Sequence, residues 1–222
     1  MPMYSLPPNP FSGEDDMLIS YLNRFGLIRP IGSNTTAMSA TVVSGGVLTD
    51  NPHLLAEIGR KISRTIRLNP SHNDHQPCLI GLSATGTILS QAAAMMADAL
   101  GDFGGQQHPI CFRAVCGITE SQGDLHCWEE SAPSPDKHTY WRVAYDDSNI
   151  ASILQAEQGL KAMGYPSGPL LIFIKRGDVN SERLRQVWED TVAQCYWLPD
   201  IVVALAHAHP DVWDEGHVVN ML

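Results

Sequence analysis

The sequence predicts an α/β fold with an open, mainly parallel sheet flanked by helices and a small N-terminal hood. From residue 78 onward, short apolar segments alternate with segments that have helical periodicity. Two apolar segments run directly into a helix through a short polar turn, at residues 83–87 and 146–149. This alternation is typical of parallel sheets, because the return to a parallel strand needs a crossover connection that is usually a helix.

Composition limits the class of protein. A chain of 222 residues can form one sizeable domain, and its net charge of −10 excludes a general electrostatic attraction to nucleic acid or to an anionic membrane. No apolar run approaches the roughly 18 residues that cross a bilayer. The first residues lack the basic and apolar regions of a signal peptide. We therefore expect a cytoplasmic protein with no nucleic-acid or membrane partner.

The cysteines and histidines do not predict a metal site. The five cysteines are an odd set without a CxxC pair, which favours buried free thiols over a disulfide framework. His207, His209 and His217 have no accompanying carboxylate or cysteine pattern. We expect them to be partly exposed side chains.

The N-terminal residues differ from the rest in composition. Residues 1–13 are rich in Pro, Gly, Ser and Asn and are predicted to form an extended arm. Residues 14–222 are then a single domain, with a hood at 14–50 and a core at 51–222. The hood should contain a helix at 14–25 and β-like pieces at 40–43 and 47–48.

The core is predicted to continue the alternation of helices and strands. Its elements, in order, are a helix that begins at 49–52, a strand at 78–82, a helix at 88–100, a strand at 109–115, a long polar loop at 117–136, a strand at 139–145, a helix from 150 to 163, a strand at 170–174, a helix at 181–195 and a strand at 201–206.

Two carboxylates stand at the end of a predicted strand. Asp146 and Asp147 follow the apolar residues 143–145, and Ser148 and Asn149 can cap the helix that begins at Ile150. Open α/β sheets bind ligands outside the carboxyl ends of their strands, so the pair is a candidate ligand site. The alternative is that one aspartate caps the helix and the other is solvated.

The other strand-to-helix turn consists of small residues. Ser83, Ala84, Thr85, Gly86 and Thr87 leave backbone N–H groups free to approach an anion at the start of the following helix. Close packing of a strand against a helix also requires small residues. Both interpretations stay open on the sequence alone.

The combined order of motifs resembles the orotate phosphoribosyltransferases over about residues 14–178. The resemblance rests on SG and LTDNPHLL in the hood, GLSATGT at the first turn, a long loop, VAYDD, a helix ending in KAMGY, and LLIFIKRGD. It implies a parallel sheet with an N-terminal hood and a homodimer. The implied ligands are phosphoribosyl pyrophosphate or a nucleotide and a pyrimidine base, with Mg²⁺ carried by the pyrophosphate.

The resemblance also assigns residues. It implies catalytic roles for Asp146 and Asp147, which would face the ribose hydroxyls, and for Arg113, which would begin the basic catalytic loop. Arg176 would face the base. The other ligand-binding positions are Ser148, Asn149 and Ser152 at the 5-phosphate and Ser83, Ala84, Thr85, Gly86 and Thr87 beside the pyrophosphate.

The sequence departs from the family pattern where the chemistry takes place. The phosphate turn, DDSNIAS, has no glycine to aim successive N–H groups at a phosphate. Between Arg113 and Lys137 there is no Lys or Arg, but there are five acidic residues. The lysine that the family places beside SG in the hood is also absent. Because each cation that neutralises a leaving group contributes roughly 10²–10³ in rate, these departures predict degenerate catalysis.

Three hypotheses follow. The first is an orotate-phosphoribosyltransferase-like protein without efficient catalysis that binds a nucleotide or ribose phosphate, or serves as a binding or assembly module. The second is an active, Mg²⁺-dependent phosphoribosyltransferase in which Arg113, Lys137, His138 or a partner subunit supplies the missing cations. The third is an interaction protein that presents residues 1–13 and 207–217 to a partner.

Overall fold

The computed structural model describes residues 7–29, 41–42, 46–69, 76–99, 113–117, 119–121, 124–126, 138–176, 181–189 and 191–213. In chain order their elements are α1 (Glu14–Arg24), β1 (Ile28–Arg29), β2 (Thr41–Val42), α2 (Gly46–Thr49), α3 (Pro52–Leu68), β3 (Gln76–Gly81), α4 (Ala84–Ala99), β4 (Arg113–Gly117), β5 (Thr119–Ser121), β6 (Asp124–His126), β7 (His138–Asp146), α5 (Ile150–Ala162), β8 (Leu170–Lys175), α6 (Ser181–Trp188), β9 (Val192–Trp197) and α7 (Leu198–Ala208).

The chain divides into two compact units. The terminal unit comprises residues 1–54 and 196–222, and the central unit comprises residues 55–195. None of the helices within the described ranges is both long and apolar enough to span a bilayer.

The main sheet has the strand order β4-β3-β7-β8-β9. The four strands β4, β3, β7 and β8 are parallel, with Gly81 opposite Val143 and Asp146 opposite Ile174. Helix α4 connects β3 to β4 and helix α5 connects β7 to β8, and the predicted open, mainly parallel α/β sheet is confirmed.

The strand order reverses direction between β3 and β7. From β3 the chain passes through α4 to β4 on one side, and it later returns to β7 on the other side of β3. A reversal of this kind is a topological switch point, where the connections leave a crevice at the carboxyl ends of two adjacent strands.

The core of the central unit lies around β7 and β8. Residues 140–145 of β7 and 170–174 of β8 are all buried, as expected for parallel strands covered on both faces. On one face, α5 packs Ile153 and Leu160 into an apolar cluster with Ile80 and Ile172. This packing holds the start of α5 at the carboxyl end of β7.

A buried ion pair interrupts this apolar strand. The side chain of Arg142 in β7 is 0% exposed and that of Glu157 in α5 is 2% exposed, and Nε of Arg142 lies 2.7 Å from Oε2 of Glu157. Arg142 also donates to the carbonyl oxygens of Tyr140 (3.0 Å) and Pro166 (2.7 Å). The guanidinium therefore joins β7, α5 and the loop before β8.

In the terminal unit, α1 packs against α7 through its buried residues Leu18, Ile19 and Leu22. The described part of the N-terminal arm lies within this unit. The ring of Phe11 meets the ring of Tyr196 edge-on at 5.7 Å, and Nε2 of His207 lies 2.6 Å from the carbonyl oxygen of Pro7. Residues 7–13 are thus packed on their own unit.

Two predictions near the C-terminus are wrong. The predicted strand at 201–206 lies in α7, which has a proline in its first turn and buries residues 198–199 and 201–206. Because α7 is apolar on nearly every side, its sequence lacks the periodic pattern of an amphipathic helix and resembles that of a buried strand. The predicted helix at 181–195 ends at Trp188, where Glu189 adopts a left-handed φ of 49°, and β9 follows.

Three local elements also differ from the prediction. Residues 47–48 belong to the helix α2 and are not β-structure, and α4 begins at Ala84 instead of residue 88. The predicted loop at 117–136 contains the antiparallel pair β5 and β6. Residues 109–112 of the predicted strand 109–115, and residues 127–136 of the loop, lie outside the described ranges.

Candidate functional site

The candidate site lies at the switch point, where β3 and β7 end side by side. Two helices begin there, α4 after β3 and α5 after β7. The site therefore combines two helix N-termini with the side chains that follow two adjacent strands.

The turn after β3 is ordered by its own hydroxyl groups. Ser83 caps α4, because its Oγ accepts the backbone N–H of Gly86 at 3.0 Å. The N–H of Thr87 donates to the carbonyl oxygen of Ser83 at 2.8 Å, and Oγ1 of Thr87 donates to the same oxygen at 2.9 Å. Part of the predicted anion turn thus serves to start the helix.

The glycines of this turn allow backbone to pass close to backbone. A Cβ on Gly86 would lie 2.4 Å from the carbonyl oxygen of Val143 in β7, and a Cβ on Gly81 would lie 2.1 Å from the nitrogen of Thr87. Real Cβ atoms do not approach so closely. Close strand-to-helix packing, the alternative left open by the sequence, accounts for Gly86 without a ligand.

Asp146 ends β7 with both carboxylate oxygens engaged. Ser148 donates to Oδ1 from its backbone N–H (3.3 Å) and from its hydroxyl (2.7 Å). Arg176, which follows β8, donates to Oδ2 from Nε (3.1 Å) and Nη2 (2.9 Å). The pair is partly accessible, with side-chain exposures of 28% for Arg176 and 14% for Asp146.

Asp147 points away from solvent. It is 1% exposed, and its Oδ1 accepts the backbone N–H of Arg176 at 2.8 Å. Burial raises the pKa of this carboxyl, and the hydrogen bond from Arg176 partly offsets the rise. The side chain fixes the carboxyl end of β8 beside the end of β7.

The start of α5 uses its polar residues locally. Asn149 is the N-cap, and its Oδ1 accepts the N–H of Ser152 at 3.2 Å. Ser148, Asn149 and Ser152 are all exposed. The helix begins at Ile150, as the sequence predicted.

The structure brings most of the predicted site residues to one edge of the sheet. At the ends of β7 and β8 it gathers Asp146, Asp147, Ser148, Asn149, Ser152 and Arg176, and at the end of the adjacent strand β3 it places Ser83, Ala84, Thr85, Gly86 and Thr87.

Arg113 is not brought to this edge by its strand. Its backbone pairs with Cys78, whereas Gly117, at the other end of β4, pairs with Gly81. At about 3.3 Å per residue, the backbone of Arg113 lies roughly 13 Å from the carboxyl end of the strand. A catalytic role for Arg113 stays a prediction.

Several solved structures resemble this chain in fold. The orotate phosphoribosyltransferase of Aeropyrum pernix is 17% identical, with a TM-score of 0.59 over 86% of this chain and 99% of that one. The enzyme of Francisella tularensis is 13% identical, with a TM-score of 0.61 over 92% and 95%. The Mycobacterium tuberculosis enzyme, in complex with 5-phospho-α-D-ribosyl 1-diphosphate, is 14% identical, with a TM-score of 0.52 over 85% and 99%.

The chain has an orotate phosphoribosyltransferase-like, type I phosphoribosyltransferase fold. At these identities the likeness concerns the fold. No protein-family model matches the sequence, and no curated protein matches it either.

In this phosphoribosyltransferase fold, three oxygens of the acidic pair accept hydrogen bonds from the protein itself. Mg²⁺ requires close to octahedral oxygen coordination at about 2.0–2.1 Å. Both oxygens of Asp146 already accept hydrogen bonds, and Asp147 is buried with Oδ1 bonded to Arg176. Among the described residues, no three His, Cys, Asp or Glu side chains are placed to share a metal ion.

The sequence did not reveal that Arg176 pairs with Asp146. The available signal was the position of each residue directly after a predicted strand, because neighbouring parallel strands end at the same edge. Which strands are neighbours depends on the sheet order, which the sequence does not contain. Arg142 and Glu157 were missed for the same reason, since their contact joins a strand to a helix that covers it.

Proposed function

We propose that this protein binds the ribose 5-phosphate part of a phosphoribosyl ligand, such as phosphoribosyl pyrophosphate or a nucleotide, at the switch point between β3 and β7. We further propose that its transfer chemistry is degenerate. The observation that carries the proposal is the convergence of Asp146, Arg176 and the N-termini of α4 and α5 at one edge of the sheet. The ligand in the Mycobacterium tuberculosis structure has the same chemistry.

The edge offers complementary groups to a sugar phosphate. Ser148, Asn149 and Ser152 are exposed at the start of α5, where the helix dipole favours an anion. The carboxylate of Asp146 is partly accessible, and it can accept hydrogen bonds from ribose hydroxyls that replace the contacts of Ser148. A phosphate on the helix start and a ribose on Asp146 would occupy neighbouring positions.

We infer degenerate transfer from the charges of the loop that the family resemblance assigns to catalysis. Loss of pyrophosphate builds negative charge on the leaving group, and cations must stabilise that charge. The stretch between Arg113 and Lys137 carries five acidic residues and no Lys or Arg. The backbone of Arg113 lies at the far end of β4. Ligand binding without efficient turnover is therefore the expected behaviour.

The proposal also includes the assembly and the location that the fold resemblance and the sequence imply, a homodimer in the cytoplasm. Magnesium would reach the site only with a pyrophosphate-bearing ligand. Sedimentation velocity checks the assembly, with a dimer expected at micromolar concentration. A monomer at every concentration would contradict that part of the proposal.

The test is calorimetric titration with ribose 5-phosphate, with phosphoribosyl pyrophosphate and with nucleoside monophosphates. We expect saturable one-to-one binding of at least one of them. Asp146→Asn should weaken that binding about tenfold or more, because an amide is a poorer acceptor for hydroxyls than a carboxylate. Asp211→Asn, an exposed aspartate outside the site, is the matched control and should bind like the wild type.

Two outcomes would contradict the proposal. No heat with any of these ligands, from protein that is folded by circular dichroism, would remove the binding function. Pyrophosphate release from phosphoribosyl pyrophosphate in the presence of orotate or another base, at rates typical of enzymes, would replace the degenerate interpretation with that of an active transferase.

A further inference from the structure

The charge of Asp146 is balanced from within the chain. Its Oδ2 receives two N–H groups of the Arg176 guanidinium, at 3.1 Å and 2.9 Å. Its Oδ1 receives the hydroxyl and the backbone N–H of Ser148, at 2.7 Å and 3.3 Å. A divalent cation could coordinate this carboxylate only by displacing donors that are already in place.

Arg176 is held at this position by its backbone as well as by its side chain. Its N–H donates to Oδ1 of the buried Asp147 at 2.8 Å, one residue after the aspartate that its guanidinium contacts. The two contacts tie the residue after β8 to both acids at the end of β7. The guanidinium is thus held at the site by contacts of its own residue with both acids.

We propose that Arg176 is a positioning residue that supplies the countercharge of Asp146, so that the acidic pair takes no divalent cation and a ribose phosphate binds without one. The choice of ribose phosphate as the ligand rests on the proposed function. The countercharge role does not, because it concerns contacts that exist in the ligand-free protein.

The contact of Arg176 with Asp146 would favour the binding of a sugar phosphate. Arg176 leaves the Asp146 carboxylate oriented, with Oδ1 and Oδ2 facing different donors, and it cancels the negative charge that would repel a phosphate nearby. In sites where carboxylates lie beside a phosphate, a bound Mg²⁺ can orient the carboxylates and cancel their charge. Here a side chain from the neighbouring strand performs them.

The first experiment measures binding of Mn²⁺, a spectroscopic substitute for Mg²⁺, to the ligand-free protein by electron paramagnetic resonance. We expect the wild type and Asp146→Asn to bind Mn²⁺ equally. Arg176→Met should bind Mn²⁺ about tenfold more tightly than the wild type does, because the carboxylate of Asp146 then lacks its countercharge. The double variant Arg176→Met with Asp146→Asn should lose that site again.

Arg183→Met is the matched control, since Arg183 is an exposed arginine of α6. It should behave as the wild type. Mn²⁺ binding by the wild type that disappears in Asp146→Asn would overturn the proposal. So would a folded Arg176→Met protein that gains no site. The comparison of the wild type with Asp146→Asn needs no Arg176 variant, so the test stands even if Arg176→Met fails to fold.

The second experiment titrates ribose 5-phosphate, which has no pyrophosphate to carry a metal, in excess EDTA and again in excess Mg²⁺. The dissociation constants of the wild type should agree within about twofold, and only Arg176→Met should bind about tenfold more tightly with Mg²⁺. Tighter binding by the wild type in Mg²⁺ would overturn the inference. Absence of binding in both conditions, with the Mn²⁺ results as expected, would contradict the proposed function and leave the countercharge role intact.

Discussion

Asp146 and Asp147 are adjacent in sequence but have opposite surroundings. Asp146 lies at the edge with Arg176 and Ser148, whereas Asp147 is 1% exposed and accepts the backbone N–H of Arg176. Asp146 is the last residue of β7 and Asp147 follows the strand, so the chain turns between them and the two side chains have different neighbours. In this structure Asp146 is the accessible member of the pair.

The burial of Asp147 makes the stability of the protein depend on pH. Its pKa is raised above the ordinary value of 3.8, mainly by desolvation. A raised folded-state pKa contributes stability that is fully present below the ordinary pKa and is lost as the pH rises through the folded-state pKa. Asp147→Asn removes the loss of stability that accompanies ionisation of this carboxyl. The amide oxygen of the variant can still accept the N–H of Arg176.

We therefore expect the free energy of unfolding of Asp147→Asn, relative to wild type, to rise as the pH increases from about 3.8. Urea unfolding at a series of pH values measures the difference. Asp211→Asn, with an exposed aspartate, should show a constant difference. A constant difference for Asp147→Asn as well would show that its carboxyl is not perturbed by burial.

Strand β7 and helix α5 are coupled by the pair of Arg142 and Glu157. Their Nε and Oε2 atoms lie 2.7 Å apart with both side chains almost fully buried, and Nζ of Lys161 lies 3.8 Å from Oε1 of the same glutamate. Removing one partner of a buried pair leaves an uncompensated charge in the interior, whereas removing both does not.

Arg142→Leu alone should lower the free energy of unfolding by about 3–5 kcal/mol, and the double variant Arg142→Leu with Glu157→Leu should recover most of the loss. Denaturant unfolding of the two single variants and the double variant measures the coupling. Arg183→Leu, at an exposed position of α6, is the control and should change stability by less than about 0.5 kcal/mol. A double variant as unstable as the sum of the single variants would mean that the two residues act independently.

At the scale of the molecule, each of the two units has its own stabilising contacts. In the terminal unit, the arm adds the edge-on contact of Phe11 with Tyr196 and the contact of Pro7 with His207. The hydroxyl of Tyr196 also donates to Oδ1 of Asp15 at 2.6 Å. Within this unit, the arm thus contacts Tyr196 at the end of β9 and His207 in α7, and Tyr196 in turn contacts α1.

Deletion of residues 1–12 should lower the stability of the terminal unit by about 1–2 kcal/mol, because the aromatic contact and the hydrogen bonds of Pro7 with His207 and of Asn9 with Asp16 are lost. Hydrogen exchange of α7 measures this locally. Phe11→Ala in the full-length protein should produce part of the effect. Unchanged protection of α7 in both variants would show that the arm contributes nothing to this unit.

The sequence by itself determined those features that rest on local signals. Apolar segments bounded by polar turns located β3, β7 and β8, and Asn149 marked the start of α5, because a cap and a run of buried side chains are encoded by adjacent residues. The same signals gave wrong predictions at 192–206. They predicted a strand within the largely buried helix α7 and a helix where β9 begins.

Only the tertiary structure decided which distant groups meet. Asp146 and Arg176 are 30 residues apart, and their contact exists because β8 lies beside β7 in the sheet order. The same adjacency lets Asp147 accept the backbone N–H of Arg176. The register of β4 with β3 places the backbone of Arg113 at the far end of β4. Strand order and register arise from packing over the whole central unit, so no local stretch of sequence specifies them.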